Sequence, residues 1–208
     1  MARSNVVRDY GGISALDRRA ERRRKLLEAG KRIWGESGIA EVTVRGVCSA
    51  SGLTPRYFYE QFPNRDDLLV AIADQLRTEL TATMVTASLA DPGDLGAKLR
   101  TAFTAFLDAV AADPHSHRIL TTESNIAGLR EGRDRMLDTI VELVLHYGPG
   151  LLGFEPADPA DLRRGALFVV GGVNQLIEAW LRDPKESTTE LADICVALTL
   201  ATVTARRP

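Results

Sequence analysis

The chain carries 26 Lys and Arg against 28 Asp and Glu over 208 residues, and 45% of it is hydrophobic. That composition supports a folded core of ordinary size. It excludes a membrane-spanning segment, because no apolar run approaches the ~18 residues that a bilayer requires.

Residues 1–13 predict a flexible arm with Arg3, Arg8 and a Gly11-Gly12 break; they lack the apolar segment of a secretory leader. Ser14 with Asp17 three residues on resembles a capping box, which starts the first helix there. Leu26, Ala29, Ile33 and Trp34 form its apolar stripe, and Gly38 suits its C-terminal cap. The same helix holds Arg18, Arg19, Arg22, Arg23, Arg24 and Lys25, a run that ordinarily marks a solvated face.

Thr43 caps a short second helix on which Val44, Val47 and Cys48 repeat at helical spacing, and Gly46 inside it is a weakness. Gly52 offers the positive φ that ends this helix. Thr54 then caps a third helix, with Pro55 at its first position, where a missing N–H costs nothing. Leu53, Phe58 and Phe62 face inward on this reading, leaving Arg56, Tyr57, Tyr59 and Glu60 outside. Two helices about a glycine turn make a helix-turn-helix, whose second helix enters the major groove of DNA. Residues 1–67 hold 13 basic against 9 acidic side chains and the remainder 13 against 19. Positive charge, which drives phosphate binding through counterion release, therefore gathers beside the motif.

Phe62-Pro63-Asn64 stops the motif, and Asp66 and Asp67 favour the start of a fourth helix that runs through Leu68, Leu69, Ile72, Leu76 and Leu80 and fades near Ala90. Asp91-Pro92-Gly93 breaks the chain. A fifth helix aligns Leu95, Leu99, Phe103, Phe106 and Val110. A short one runs from His115 towards Ile126, and another from Leu129 to His146 turns Met136, Ile140, Leu143 and Val144 inward. Pro149 to Pro159 predicts a loop. A long helix, Pro159 to Arg182, carries Leu162, Ala166, Val169, Val173, Leu176, Ile177 and Trp180. The last begins at Ser187 or Thr188 and lines up Leu191, Ile194, Cys195, Leu198 and Thr202. The fold class is all-α: a three-helix head and a larger helical C-terminal domain, about nine helices in total. Cys48 and Cys195 lie on apolar stretches, which predicts buried free thiols and a reduced, cytoplasmic setting.

From Arg22 to Leu76 the chain resembles the TetR-type transcriptional regulators. The likeness rests on the basic first helix, Thr43-Val44-Arg45, the Ala50-Ser51-Gly52-Leu53-Thr54 turn, the aromatic third helix and Phe62-Pro63-Asn64-Arg65. Pro55, Gln61 and Ser51 depart from the family's usual residues, and beyond the head the likeness is architectural. The resemblance implies an arm at 1–13, a DNA-binding domain at 14–67 and a helical ligand-binding and dimerisation domain at 68–208. It implies a homodimer through the last two helices, where Gly171-Gly172 permits close approach, bound to a palindromic double-stranded operator. It further implies a repressor that a small apolar effector releases. Thr43, Arg45, Tyr59 and Arg65 would contact phosphates, while Thr54, Pro55, Arg56 and Tyr57 would face bases, with Arg56 suited to guanine. Around the effector, Phe103, Phe106, Met136 and Leu143 would give apolar lining, and Asn125, His146, Asn174 and Glu178 polar contacts.

No enzyme, cofactor or metal is expected. His115 and His117, two apart, do not share a helical face, no Cys or carboxylate spacing completes a metal site, and no phosphate loop or nucleophile motif occurs. The rival readings are a helical binding module without operator affinity and an activator of the same fold.

Overall fold

The computed structural model describes residues 14–122, 125–152 and 159–204. The arm expected at 1–13 and the centre of the Pro149–Pro159 segment lie outside the described residues. Among those described there are nine α-helices and no strand. They are α1 (Ala15–Ser37), α2 (Val44–Ser51), α3 (Pro55–Tyr59), α4 (Arg65–Ala90), α5 (Leu95–Ala112), α6 (Pro114–Thr121), α7 (Ala127–Leu152), α8 (Pro159–Arg182) and α9 (Thr188–Thr204), with a 3-10 turn at Ile39–Glu41 after α1. The chain divides into two compact units, one ending at Ile72 and one beginning at Ala73.

Local chemistry sets the ends of the helices in the first unit. Ser14 and Asp17 close a reciprocal capping box on α1, and Gly38 ends that helix at φ 98°. The Thr43 hydroxyl accepts the Gly46 N–H at 3.0 Å, so the glycine inside α2 is the residue whose amide the cap satisfies. Gly52 takes the left-handed conformation, φ 70° and ψ 23°. Thr54 sits extended ahead of α3, but its side chain makes no capping bond. Leu26, Trp34, Val42, Val47, Phe58, Leu68 and Leu69 are fully buried and form the core of this unit. A Cβ at Gly30 would lie 2.7 Å from Ile72 Cδ1, so α1 and the first turns of α4 meet there with no room for a side chain.

In the second unit α5 packs on α9, α7 on α8, α8 on α9, and α6 on both α5 and α8. Several expected details differ. Helix α6 stops at Thr121 instead of continuing to Ile126. Helix α7 runs through Pro149 to Leu152, where a loop was expected. Among the described residues of α7 the buried apolar side chains are Leu129 and Val141, the latter packed with Ala166 and Val170 of α8, while Val144 is exposed. On α9 the inward face is Leu191, Ala192, Cys195, Val196 and Thr199, leaving Ile194 and Leu198 outside. Cys48 and Cys195 are both buried and free.

Candidate DNA-binding site

The head presents its polar residues from α2, α3 and the turn between them. Thr43, Arg45, Thr54, Pro55, Arg56, Tyr57 and Tyr59 are all exposed, while the apolar residues interleaved with them, Val47, Cys48, Phe58 and Phe62, are buried. Three residues of α3 divide this labour: Phe58 faces the core, its neighbours Tyr57 and Tyr59 face outward, and the Phe58 ring meets Tyr59 edge-on at 5.4 Å. Because the Thr43 hydroxyl uses an acceptor lone pair on Gly46, its own hydrogen stays available to donate to an external oxygen.

Arg65 is placed differently from the other seven. It is half-buried, and its Nε donates to the Val42 carbonyl at 2.5 Å and its Nη2 to the Ile39 carbonyl. Nη1 pairs with Asp66 at 3.1 Å. This guanidinium therefore braces the turn before α2 against the start of α4 with three of its five N–H donors.

The arginine run of α1 also departs from a simple solvated face. Arg24 is tied to Glu21 at 2.7 Å and Glu28 at 2.5 Å on its own helix; hydrogen bonds from Arg24 hold the Glu21 carboxyl below its usual range. Arg22 lies 4.7 Å over the Tyr57 ring and Arg23 4.5 Å over Phe62, while Arg19 Nη2 donates to the Glu60 carbonyl at 3.5 Å. Sequence reasoning missed that these three hold the recognition segment from behind. Their spacing of three and four was the available signal, since it puts all three on one face of α1.

The residues expected around an effector differ in their exposure. Phe103 is buried in α5, and Phe106, Met136 and Leu143 are half-buried. Asn125 and His146 are exposed, with His146 edge-on to Tyr147 at 4.6 Å. The Asn174 amide donates to Glu178 at 3.1 Å, and Glu178 also receives Arg133 at 3.1 Å and Arg182 at 3.5 Å. Glu178 is thus the centre of an α7–α8 ion network. Among the described residues no three His, Cys, Asp or Glu side chains cluster as a metal site, and no helix is long and apolar enough to cross a membrane.

The family model for bacterial regulatory proteins of the tetR family matches residues 26–72, the stretch that holds the whole helix-turn-helix. Residues 26–72 are thus similar to the head of tetR-family regulators. An uncharacterized HTH-type transcriptional regulator of Mycobacterium tuberculosis is 25% identical to the chain over 156 residues, covering 73% of this chain and 64% of that protein. The chain thus spans less than two thirds of the length of the curated relatives it matches. A tetR-family transcriptional regulator from Streptomyces coelicolor superposes with a TM-score of 0.68 at 19% identity, covering 89% of this chain and 82% of that one. The transcriptional regulator FadR from Bacillus subtilis, solved in complex with stearoyl-CoA, superposes with a TM-score of 0.66 at 14% identity, covering 86% and 98%. At such identities the shared feature is the fold, a TetR-type head followed by a helical domain.

Proposed function

We propose that this chain is a ligand-responsive, DNA-binding transcriptional regulator: a repressor that binds a palindromic operator as a homodimer and leaves it when a small hydrophobic effector binds. The observation that carries the reading is the segregation of the head. Six polar or part-polar residues of the motif (Thr43, Arg45, Thr54, Arg56, Tyr57 and Tyr59) are exposed together with Pro55, while Val47, Cys48 and Phe58 between them are buried. Thr43, Arg45 and Tyr59 take phosphates, and Thr54, Pro55, Arg56 and Tyr57 meet base edges. Arg65 supports them as a brace. The FadR structure with stearoyl-CoA supports an acyl-type effector held in the second unit, near Phe103, Phe106, Met136 and Leu143. Dimerisation is assigned to the outer face of α8 and α9, where Leu167, Phe168, Ile194 and Leu198 are exposed and a Cβ at Gly171 or Gly172 would meet no described residue within 4 Å. Exposed large apolar side chains on two packed helices call for a partner.

The test is binding to the DNA flanking the chain's own gene at two salt concentrations, with Arg56→Ala beside it. Specific, salt-sensitive binding that Arg56→Ala weakens, and that long-chain acyl-CoA releases, supports the reading. No binding at low salt to own-gene or random DNA overturns it in favour of a helical binding module.

A further inference from the structure

We propose that Glu60 is a positioning residue that aims Arg56 at a guanine, holding the Arg56 Nε and leaving its two terminal nitrogens for the base. The inference rests on the DNA-binding reading above and adds to it which side chain sets specificity. Glu60 immediately follows α3. Its Oε1 accepts the Arg56 Nε at 3.2 Å, and its Oε2 lies 4.0 Å from Arg22 Nη2. Its backbone carbonyl takes Arg19 Nη2 at 3.5 Å, and Arg22 itself lies 4.7 Å over the Tyr57 ring. Arg19 and Arg22 of α1 thus approach Glu60 from one side, through its backbone carbonyl and its Oε2, while its Oε1 faces Arg56.

Burial runs in the same direction along this chain of contacts. The Arg22 side chain is 26% exposed, Glu60 39% and Arg56 85%. An arginine so exposed on an unbraced stem samples many rotamers, and binding must then select one of them. A carboxylate already fixed at its Nε removes much of that search. Guanine offers O6 and N7 to a pair of parallel N–H groups. With Nε engaged by Glu60, Nη1 and Nη2 are the pair that remains, which dictates an end-on approach. The opposing possibility is that Glu60 only neutralises Arg56. Its removal would then strengthen binding to every sequence alike and change no preference.

The experiment recovers bound duplexes from a random-sequence library with the full chain. It then titrates the selected duplex and its guanine-to-adenine derivative at two salt concentrations. Wild type is expected to prefer guanine by about 5- to 150-fold, and Arg56→Ala to lose that preference. Glu60→Ala is expected to lower the preference several-fold with an unchanged salt slope and undiminished affinity for random DNA. Glu60→Gln, whose amide oxygen still accepts from Nε, restores most of it. Glu60→Met, which keeps the stem without an acceptor, repeats the test should the alanine variant fail to fold. Full guanine preference in Glu60→Ala, or an equal loss on all sequences that Gln does not rescue, overturns the proposal. A selected motif whose guanine does not depend on Arg56 overturns it alone, whereas a wild type that selects no sequence overturns the DNA-binding reading as well.

Discussion

Replacing Arg65 by alanine separates a brace from a phosphate ligand. The side chain bonds the Val42 and Ile39 carbonyls, and Val42 is fully buried. Hydrogen bonds to a charged group contribute about 1.5–3 kcal/mol each, so the pair is worth about 3–6 kcal/mol in a dry site. The Arg65 side chain is 34% exposed, so water replaces part of what is lost, and a destabilisation of about 2–4 kcal/mol is expected. Arg65→Lys should recover less than half, since an ammonium cannot span two carbonyls as the planar fork does. Trp34 is 1% exposed in the first unit and Trp180 9% exposed in the second. In a Trp180→Phe background, Trp34 fluorescence therefore follows unfolding of the head in denaturant. The salt slope of DNA binding supplies the second reading. A brace leaves the slope of the folded protein unchanged, whereas each lost phosphate contact lowers it by about 0.9. An unshifted unfolding midpoint together with a slope reduced by that amount would falsify the bracing argument.

Three further outcomes follow from the same contacts. Gly132→Ala should destabilise the second unit, against the gain of about 1 kcal/mol that alanine normally brings to a helix. Its Cβ would lie 2.8 Å from Arg77 Nη1 and dislodge the Arg77–Asp74 pair and the bond from Arg77 to the Leu129 carbonyl; a raised thermal midpoint would contradict the close approach. Gly172→Ala, with nothing within 4 Å, should stabilise the isolated helix yet weaken self-association measured by sedimentation; unchanged association would remove α8 from the dimer face. The Asp91 carboxyl is held below its ordinary value of 3.8 by a hydrogen bond from Thr101 and then by the Gly93 N–H. A depressed carboxylate stabilises the fold above about pH 3.8 and loses that contribution as pH falls through its lower folded value. NMR titration should place Asp91 below 3.8, with Thr101→Val moving it upward, and an unmoved titration in that variant would reject the assignment of cause.

Much of the head was legible because its determinants are local. The Ser14–Asp17 box, the Thr43 cap and Gly52 each act within three residues, so their chemistry can be read without knowing what packs on them. The interactions that orient the recognition edge are not local. Arg22 and Arg23 reach aromatic rings more than thirty residues away, and Arg65 reaches carbonyls 23 and 26 residues back. A charge run gives the same pattern whether its members point to solvent, to a phosphate or to a neighbouring ring. Side-chain type therefore indicated basic chemistry, and only the fold separated Arg24, bound within its own helix, from Arg22, bound to α3.

The second unit shows the complementary limit. A helix period identifies an apolar stripe but not what covers it, and α9 is apolar on more than one side. Leu191 and Cys195 turn inward from the stripe seen in the sequence, with Ala192, Val196 and Thr199 beside them, whereas Ile194 and Leu198 remain outside. On α8 the same division leaves Leu167 and Phe168 exposed next to Gly171 and Gly172, while Ala166, Val170 and Ile177 are buried. Two glycines in the interior of a helix cost about 1 kcal/mol each relative to alanine, and among the described residues a Cβ at either would meet no neighbour within 4 Å. The cost is recovered if another helix backbone approaches that face, and a second copy of the same chain brings an identical smooth surface to it by two-fold symmetry. Such symmetry favours self-association over an unrelated partner.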